Sequence, residues 1–100
     1  PSLYSARHKI ENLLESSKKK DLYSVVGPVC ETADSFGSDF EVSANAGDYL
    51  VVYSAGAYGS SMGSNYNTRL KPAEILVDQK SHKVIRKVET FDDLIKEEEL

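Results

Sequence analysis

The sequence predicts a mainly β fold closed by a short C-terminal helix. Three stretches carry that reading: "LYSVVGPVC" from Leu22, "GDYLVVYSAG" from Gly47, and "PAEILVDQKSHKVIRKVET" from Pro72. Each sets branched or aromatic residues between turn-forming ones, and such side chains suit a pleated surface.

From the N-terminus, the apolar positions Leu3, Tyr4, Ala6, Ile10, Leu13 and Leu14 fit one helical face about as well as a turn followed by a short strand. Ser16 to Asp21 is a polar connector, and its run Lys18–Lys20 reads as a solvated turn. Val25, Val26 and Val29 then suit a pleated surface, in a strand that Gly27-Pro28 should end or bulge. Between Glu31 and Gly47 polar and small residues dominate, so the expectation is a long loop or helical turn anchored by Phe36, Phe40 and Val42. Gly47-Asp48 opens the clearest strand. Further on, Ile75 and Val77 run into a hairpin, "DQKSHK" turns with His82 inside it, and Val84, Ile85 and Val88 run back. Thr90 stands as a helix N-cap, with Asp92 and Asp93 well placed in the first turn. Glu97 to Glu99 oppose the helix dipole, and the tail should fray.

One hundred residues suit a single small domain of modest stability. A composition that is 40% hydrophobic and 28% charged belongs to globular chains, and no apolar run is long enough to span a bilayer. The formal net charge of -4 argues against a nucleic-acid partner, which would draw on clustered Lys and Arg. One cysteine excludes an internal disulfide framework and a multi-thiolate zinc site, and it favours a reducing compartment. Pro1 in place of Met, with no signal-peptide zoning behind it, reads as a piece of something longer.

Two places could carry chemistry. "GPVCETADSF" sets the Cys30 thiol beside the Glu31 carboxylate just after a Gly-Pro break, three residues before Asp34, although a lone cysteine is more often a small buried hydrophobe. "SAGAYGSSMGSNYNTR", Ser54 to Arg69, exposes backbone N–H groups at Gly56, Ala57 and Gly59 to close approach by an anion, with the Tyr58 hydroxyl among them. It lacks both the P-loop ending and the dinucleotide-binding spacing, and a glycine-rich turn explains it equally well. His8 and His82 have no metal-ligand spacing partner. Asp34 reads as a loop carboxylate that orders the segment behind Cys30, with an interface ion pair as the lesser role.

Taken in order, "PSLY", "GPVCETAD", "GDYLVVYSAGAYGSSMGSNYNTR" and "KPAEILVD" resemble the C-terminal part of the diaminopimelate decarboxylase family across nearly the whole chain. Ornithine and arginine decarboxylases share that fold. Their comparable segments usually read Cys-Asp-Ser and Gly-Ala-Tyr-Thr, so Glu31 and Gly59 favour the diaminopimelate branch.

The resemblance implies a C-terminal β-barrel or sandwich-like domain, residues 1–100, incomplete at its N-terminal edge, from a two-domain enzyme whose N-terminal α/β barrel is absent from this chain. It implies pyridoxal 5'-phosphate as cofactor, with the Schiff-base lysine outside this chain, and a homodimer with shared active sites. It implies conversion of meso-diaminopimelate to L-lysine and CO2, in the cytoplasm or a plastid, and the expectation is no nucleic-acid or membrane partner. Cys30 matches the family's proton donor, which suits a thiol, since a free thiol is mostly protonated at neutral pH yet acidic enough to protonate carbon. Glu31 matches a substrate-binding carboxylate. Tyr4 and Tyr58 match tyrosines that contact substrate, Tyr58 also lying against the cofactor. An arginine for the substrate's distal carboxylate falls before Pro1, and the fragment alone is expected to be inactive. Two other readings stay open: a non-catalytic β interaction or dimerisation module, and a decarboxylase of another basic amino acid.

Overall fold

The computed structural model describes residues 5–16 and 18–99. Strands dominate, in the order β1 (Ile10–Asn12), β2 (Asp21–Val26), β3 (Ser35–Val42), β4 (Leu50–Val52), β5 (Glu74–Asp78) and β6 (Ser81–Arg86). Two short helices, α1 (Gly56–Ser61) and α2 (Phe91–Ile95), and a 3₁₀ turn at Tyr66–Thr68 complete the described elements. The strands form three antiparallel ribbons, β1 with β4, β2 with β3, and β5 with β6. The chain divides into two compact units, Pro1–Ala57 and Tyr58–Leu100.

In the first unit β1 resolves the ambiguity of the N-terminal segment in favour of turn and strand: Ile10 pairs with Val52 and Asn12 with Leu50. The core consists of Ile10, Phe40 and Val42, with Val25, Phe36, Ala44 and Val52 packed against it. Phe40 and Val42 belong to β3, which corrects the expectation of a loop or helical turn after Glu31. Polar residues hid that strand for two reasons. Its partner β2 shifts register between Tyr23 and Val25 and again between Val25 and Val26. Its own backbone turns left-handed at Gly37 (φ 116°) and Asp39 (φ 61°), so strict alternation of apolar and polar residues is lost.

The kink at Asp39, uncommon for a residue other than glycine, is held from outside the strand. Arg7 donates to the carbonyl oxygens of Ser38 and Asp39, both at 3.0 Å. Its guanidinium carbon lies 4.1 Å from the centre of the Phe40 ring, a cation–π contact that closes one side of the core.

In the second unit the hairpin forms as its sequence suggests, but its turn is tighter. Asp78 pairs with Ser81, leaving Gln79 and Lys80 as the connection, with Gln79 at φ 49°. His82 therefore stands in β6 opposite Val77 rather than in the turn, and Val88 lies past the strand's end. Helix α2 has the expected cap. The Thr90 hydroxyl accepts from the Asp93 N–H, while the Asp93 carboxylate accepts from the Thr90 N–H at 2.9 Å, a reciprocal pairing that satisfies two end-of-helix donors. The Thr90 N–H first, and then the Thr90 hydroxyl donating to the same carboxylate oxygen at 2.9 Å, hold the Asp93 carboxyl below its ordinary value. The helix stops at Ile95, before the acidic run.

Candidate functional site

The loop joining β2 to β3 runs from Gly27 to Asp34 and carries Cys30 at its turn. Cys30 is a free, exposed thiol, so the general habit of lone cysteines to bury as small hydrophobes does not hold here. Backbone hydrogen bonds knit the loop: Gly27 N–H to the Asp34 oxygen at 2.8 Å, Glu31 N–H to the Val29 oxygen at 2.9 Å, and Asp34 N–H to the Glu31 oxygen at 3.0 Å. The Asp34 carboxylate adds a fourth tie by accepting the Val29 N–H at 3.0 Å.

Glu31 is exposed beside Cys30. One of its oxygens, Oε1, accepts from the Ala33 N–H at 3.0 Å and the Thr32 hydroxyl at 3.3 Å. The carboxylate is thereby fixed over its own loop, and the thiol and the carboxylate leave the hairpin from neighbouring positions.

Tyr58 belongs to the second unit, at the start of its share of α1, and its side chain is 57% exposed. The segment expected to be loop is therefore partly helical here, the Met62 N–H closing the turn onto the Tyr58 oxygen at 2.9 Å. A Cβ built on Gly56 or Gly59 meets no atom of the described residues within 4 Å beyond the neighbouring backbone. Gly63 is different. A Cβ there would stand 3.0 Å from the Gly59 oxygen, a close backbone approach that favours glycine.

Beyond α1 the chain is held in an unusual course. Asn67 and Thr68 both have positive φ, 55° and 61°, and Ser54 at the segment's start has 56°. Consecutive left-handed residues other than glycine are costly and need support. Glu89 supplies it: its Oε2 accepts from the Asn65 amide at 2.6 Å and the Lys71 N–H at 2.8 Å, and its own N–H donates to the Lys71 oxygen at 3.0 Å. The Lys71 N–H first, and then the Asn65 amide, hold the Glu89 carboxyl below its ordinary value. Neither Glu89 nor Arg7 was marked by the sequence, since each works through partners far away along the chain. Tyr4 lies outside the described residues.

The exposed thiol and carboxylate on one hairpin, and the exposed tyrosine beside open glycines, occur in a known sequence context. A family model for the pyridoxal-dependent decarboxylase C-terminal sheet domain matches residues 1–56. The chain belongs to that family.

Among the decarboxylases similar to it is the diaminopimelate decarboxylase of Neisseria meningitidis serogroup A, 45% identical over 92% of this chain and 23% of that protein. The diaminopimelate decarboxylase of Haemophilus influenzae is 47% identical over 94% of this chain and 23% of its own length. A crystal structure of the M. jannaschii enzyme in complex with L-lysine superposes with a TM-score of 0.90 at 39% identity, covering all of this chain and 23% of that one. The chain thus spans about a quarter of the length of the decarboxylases it matches. The mainly β fold with short helices fits the sheet domain of this family.

Proposed function

We propose that this chain is the C-terminal portion of a diaminopimelate decarboxylase, contributing part of the site that turns meso-diaminopimelate into L-lysine and CO2. The observation that carries the reading is identity of 45–47% to diaminopimelate decarboxylases across more than nine-tenths of the chain. Cys30 and Glu31 stand exposed within that matched span.

Pyridoxal 5'-phosphate supplies an electron sink for the charge left on carbon when CO2 departs. Two features of this chain support a contact with one side of such a group: Tyr58 is an exposed tyrosine, and at Gly56 and Gly59 no described residue outside the neighbouring backbone stands within 4 Å of a Cβ. The lysine that anchors the cofactor, the glycine-rich phosphate segment and the α/β barrel belong to the N-terminal portion of the protein. A homodimer with shared sites, in the cytoplasm or a plastid, completes the proposal.

Each residue has one task. Cys30 delivers its Sγ proton to the substrate carbon that has lost CO2, because an exposed thiol at a hairpin tip can be brought against a bound substrate. Glu31 accepts hydrogen bonds from the ammonium at the substrate's unreacting end, and the ties on Oε1 hold it ready at little entropic cost. Tyr58 orients cofactor and substrate through its hydroxyl, and Tyr4 contacts the substrate.

The test is Cys30→Ala in the full-length enzyme, with lysine release followed from meso-diaminopimelate, and, in wild type, lysine compared with 1,4-diaminobutane formation when L-ornithine is offered in competition. Loss of a positioned general acid should slow lysine formation by about 10²–10⁴-fold. An unchanged rate would remove Cys30 from the reaction, and preferred turnover of ornithine would move the chain to another branch of the family.

A further inference from the structure

The Cys30–Glu31 hairpin contains a carboxylate with no task in that scheme. Asp34 is half-buried at the loop's end and turns its side chain inward, so that Oδ2 accepts the Val29 N–H at 3.0 Å. The two residues on either side explain why this bond can form. Pro28 has no N–H, which makes Val29 the first residue after Gly27 able to donate into the loop. Gly27 has no side chain, and this is a steric requirement: a Cβ there would lie 2.1 Å from both Asp34 carboxylate oxygens and 2.2 Å from Cγ. The carboxylate therefore sits directly over the Gly27 backbone, and Gly27, Pro28 and Asp34 act as one device. Its main-chain ties run through the same residue, from Gly27 to the Asp34 oxygen and from Asp34 to the Glu31 oxygen.

We propose that Asp34 is a positioning residue for the decarboxylation, its carboxylate pinning the Val29 peptide so that the Cys30 thiol and the Glu31 carboxylate leave the hairpin in one fixed arrangement. The proposal rests on the reading that Cys30 and Glu31 face the substrate. It follows from a simple requirement. A proton donor on an exposed hairpin works only if its reach toward the carbon is set beforehand, and displacement by about 1 Å can cost about 10²-fold in rate. Pro28 and Cys30 to Ala33 are exposed, so the loop's order rests on its hydrogen bonds.

The experiment compares Asp34→Asn, Asp34→Ala and Gly27→Ala with wild type in the full-length enzyme, reading kcat and KM for meso-diaminopimelate and hydrogen exchange at the Val29 amide. Asparagine keeps an oxygen where Oδ2 stands, so Asp34→Asn should retain kcat and the protection of Val29. Asp34→Ala should lower kcat by about 10²-fold, with a smaller change in KM, and speed Val29 exchange. Gly27→Ala evicts the carboxylate but keeps its charge in the chain, so it should reproduce the alanine phenotype, and it carries the test if Asp34→Ala fails to fold.

Three results overturn the proposal. Asp34→Asn as impaired as Asp34→Ala would show that the charge matters rather than the hydrogen bond, as in an ion pair across an interface. Gly27→Ala with normal kcat and a protected Val29 amide would show that the device is not under the steric limit described. Faster Val29 exchange without loss of kcat, in an enzyme that Cys30→Ala inactivates, would leave Asp34 a merely structural role. An active Cys30→Ala enzyme is a separate outcome, which removes the reading of the site itself.

Discussion

Both the β2–β3 and the β5–β6 ribbon are antiparallel pairs rich in branched apolar residues. Phe40 and Val42 of β3 are 5% and 4% exposed, whereas Ile75, Leu76, Val77, Val84 and Ile85 of the second ribbon are 51–68% exposed. A lone two-stranded ribbon is marginal in water, because it has faces to bury and nothing to bury them against. The first ribbon escapes this by receiving Ile10 from β1 and the Arg7 guanidinium over Phe40. The second ribbon's described side-chain ties are polar, the Arg86–Glu74 ion pair at 3.3 Å and the Ser81 hydroxyl on the Asp78 oxygen at 3.0 Å. Polar too are the ties that order the rest of its unit, the Thr90–Asp93 capping box and the Glu89 clamp on Asn65 and Lys71. Its exposed apolar faces are the kind of surface that further protein covers, which accords with a chain spanning about a quarter of its relatives' length.

The sharpest way to break this contrast is Phe40→Ala. Removing a buried aromatic side chain costs about 3–5 kcal/mol, so thermal unfolding of the full-length protein should show the sheet domain losing stability by that amount. A loss near zero would mean that the Ile10–Phe40–Val42 cluster does not organise the first unit. The second unit has no counterpart among its described residues, and its largest single effect should be smaller and local. Thr90→Ala removes one capping hydroxyl, worth about 1 kcal/mol. It should speed exchange of the Leu94 amide, which donates to the Thr90 oxygen at 3.1 Å, while leaving the amides of β3 untouched. Equal loosening of β3 would show that the two units share one cooperative core.

The same contrast explains what was legible in the sequence. Val25-Val26 before Gly27-Pro28, and the two strands of the Ile75 to Ile85 hairpin though not its two-residue turn, read correctly because the local apolar pattern is strong there. Thr90 read correctly because a cap is a local device, made by residues three apart. β3 was not legible, since its pairing depends on register shifts against β2 and on a left-handed Asp39 braced by Arg7, whose partners lie 31 and 32 positions away. Cys30 and Glu31 could be marked as a pair by adjacency and by family pattern. Thr32, Ala33 and Asp34 complete that hairpin through bonds no periodicity displays. Tyr58 stood in a stretch whose glycines suggested a loop, and the helical turn from Gly56 to Ser61 arises despite them.

Acid should separate the two units by the least drastic means. Glu89 and Asp93 are both held below their ordinary values of 4.5 and 3.8, Glu89 first by the Lys71 N–H and Asp93 first by the Thr90 N–H. A carboxyl whose folded pKa is depressed binds protons more weakly when folded than when unfolded. Its contribution is therefore complete above the unfolded value and is lost as pH falls through the folded one. The window thus opens near pH 4.5 for Glu89 and near 3.8 for Asp93 and extends downward from there. Asp93 is exposed and Glu89 only half-buried, so each interaction is partly screened by solvent and the expected change is local loosening rather than unfolding. The first unit has depressed carboxyls too, at Glu11 and Asp48, but its apolar cluster does not titrate. Amide exchange followed while pH is lowered below 4.5, corrected for intrinsic rates, should show Lys71 and Thr90 losing protection before Phe40 does. Simultaneous loss at all three would mean that the polar clamps and the apolar core fail as one, and that the second unit depends on the first for its order.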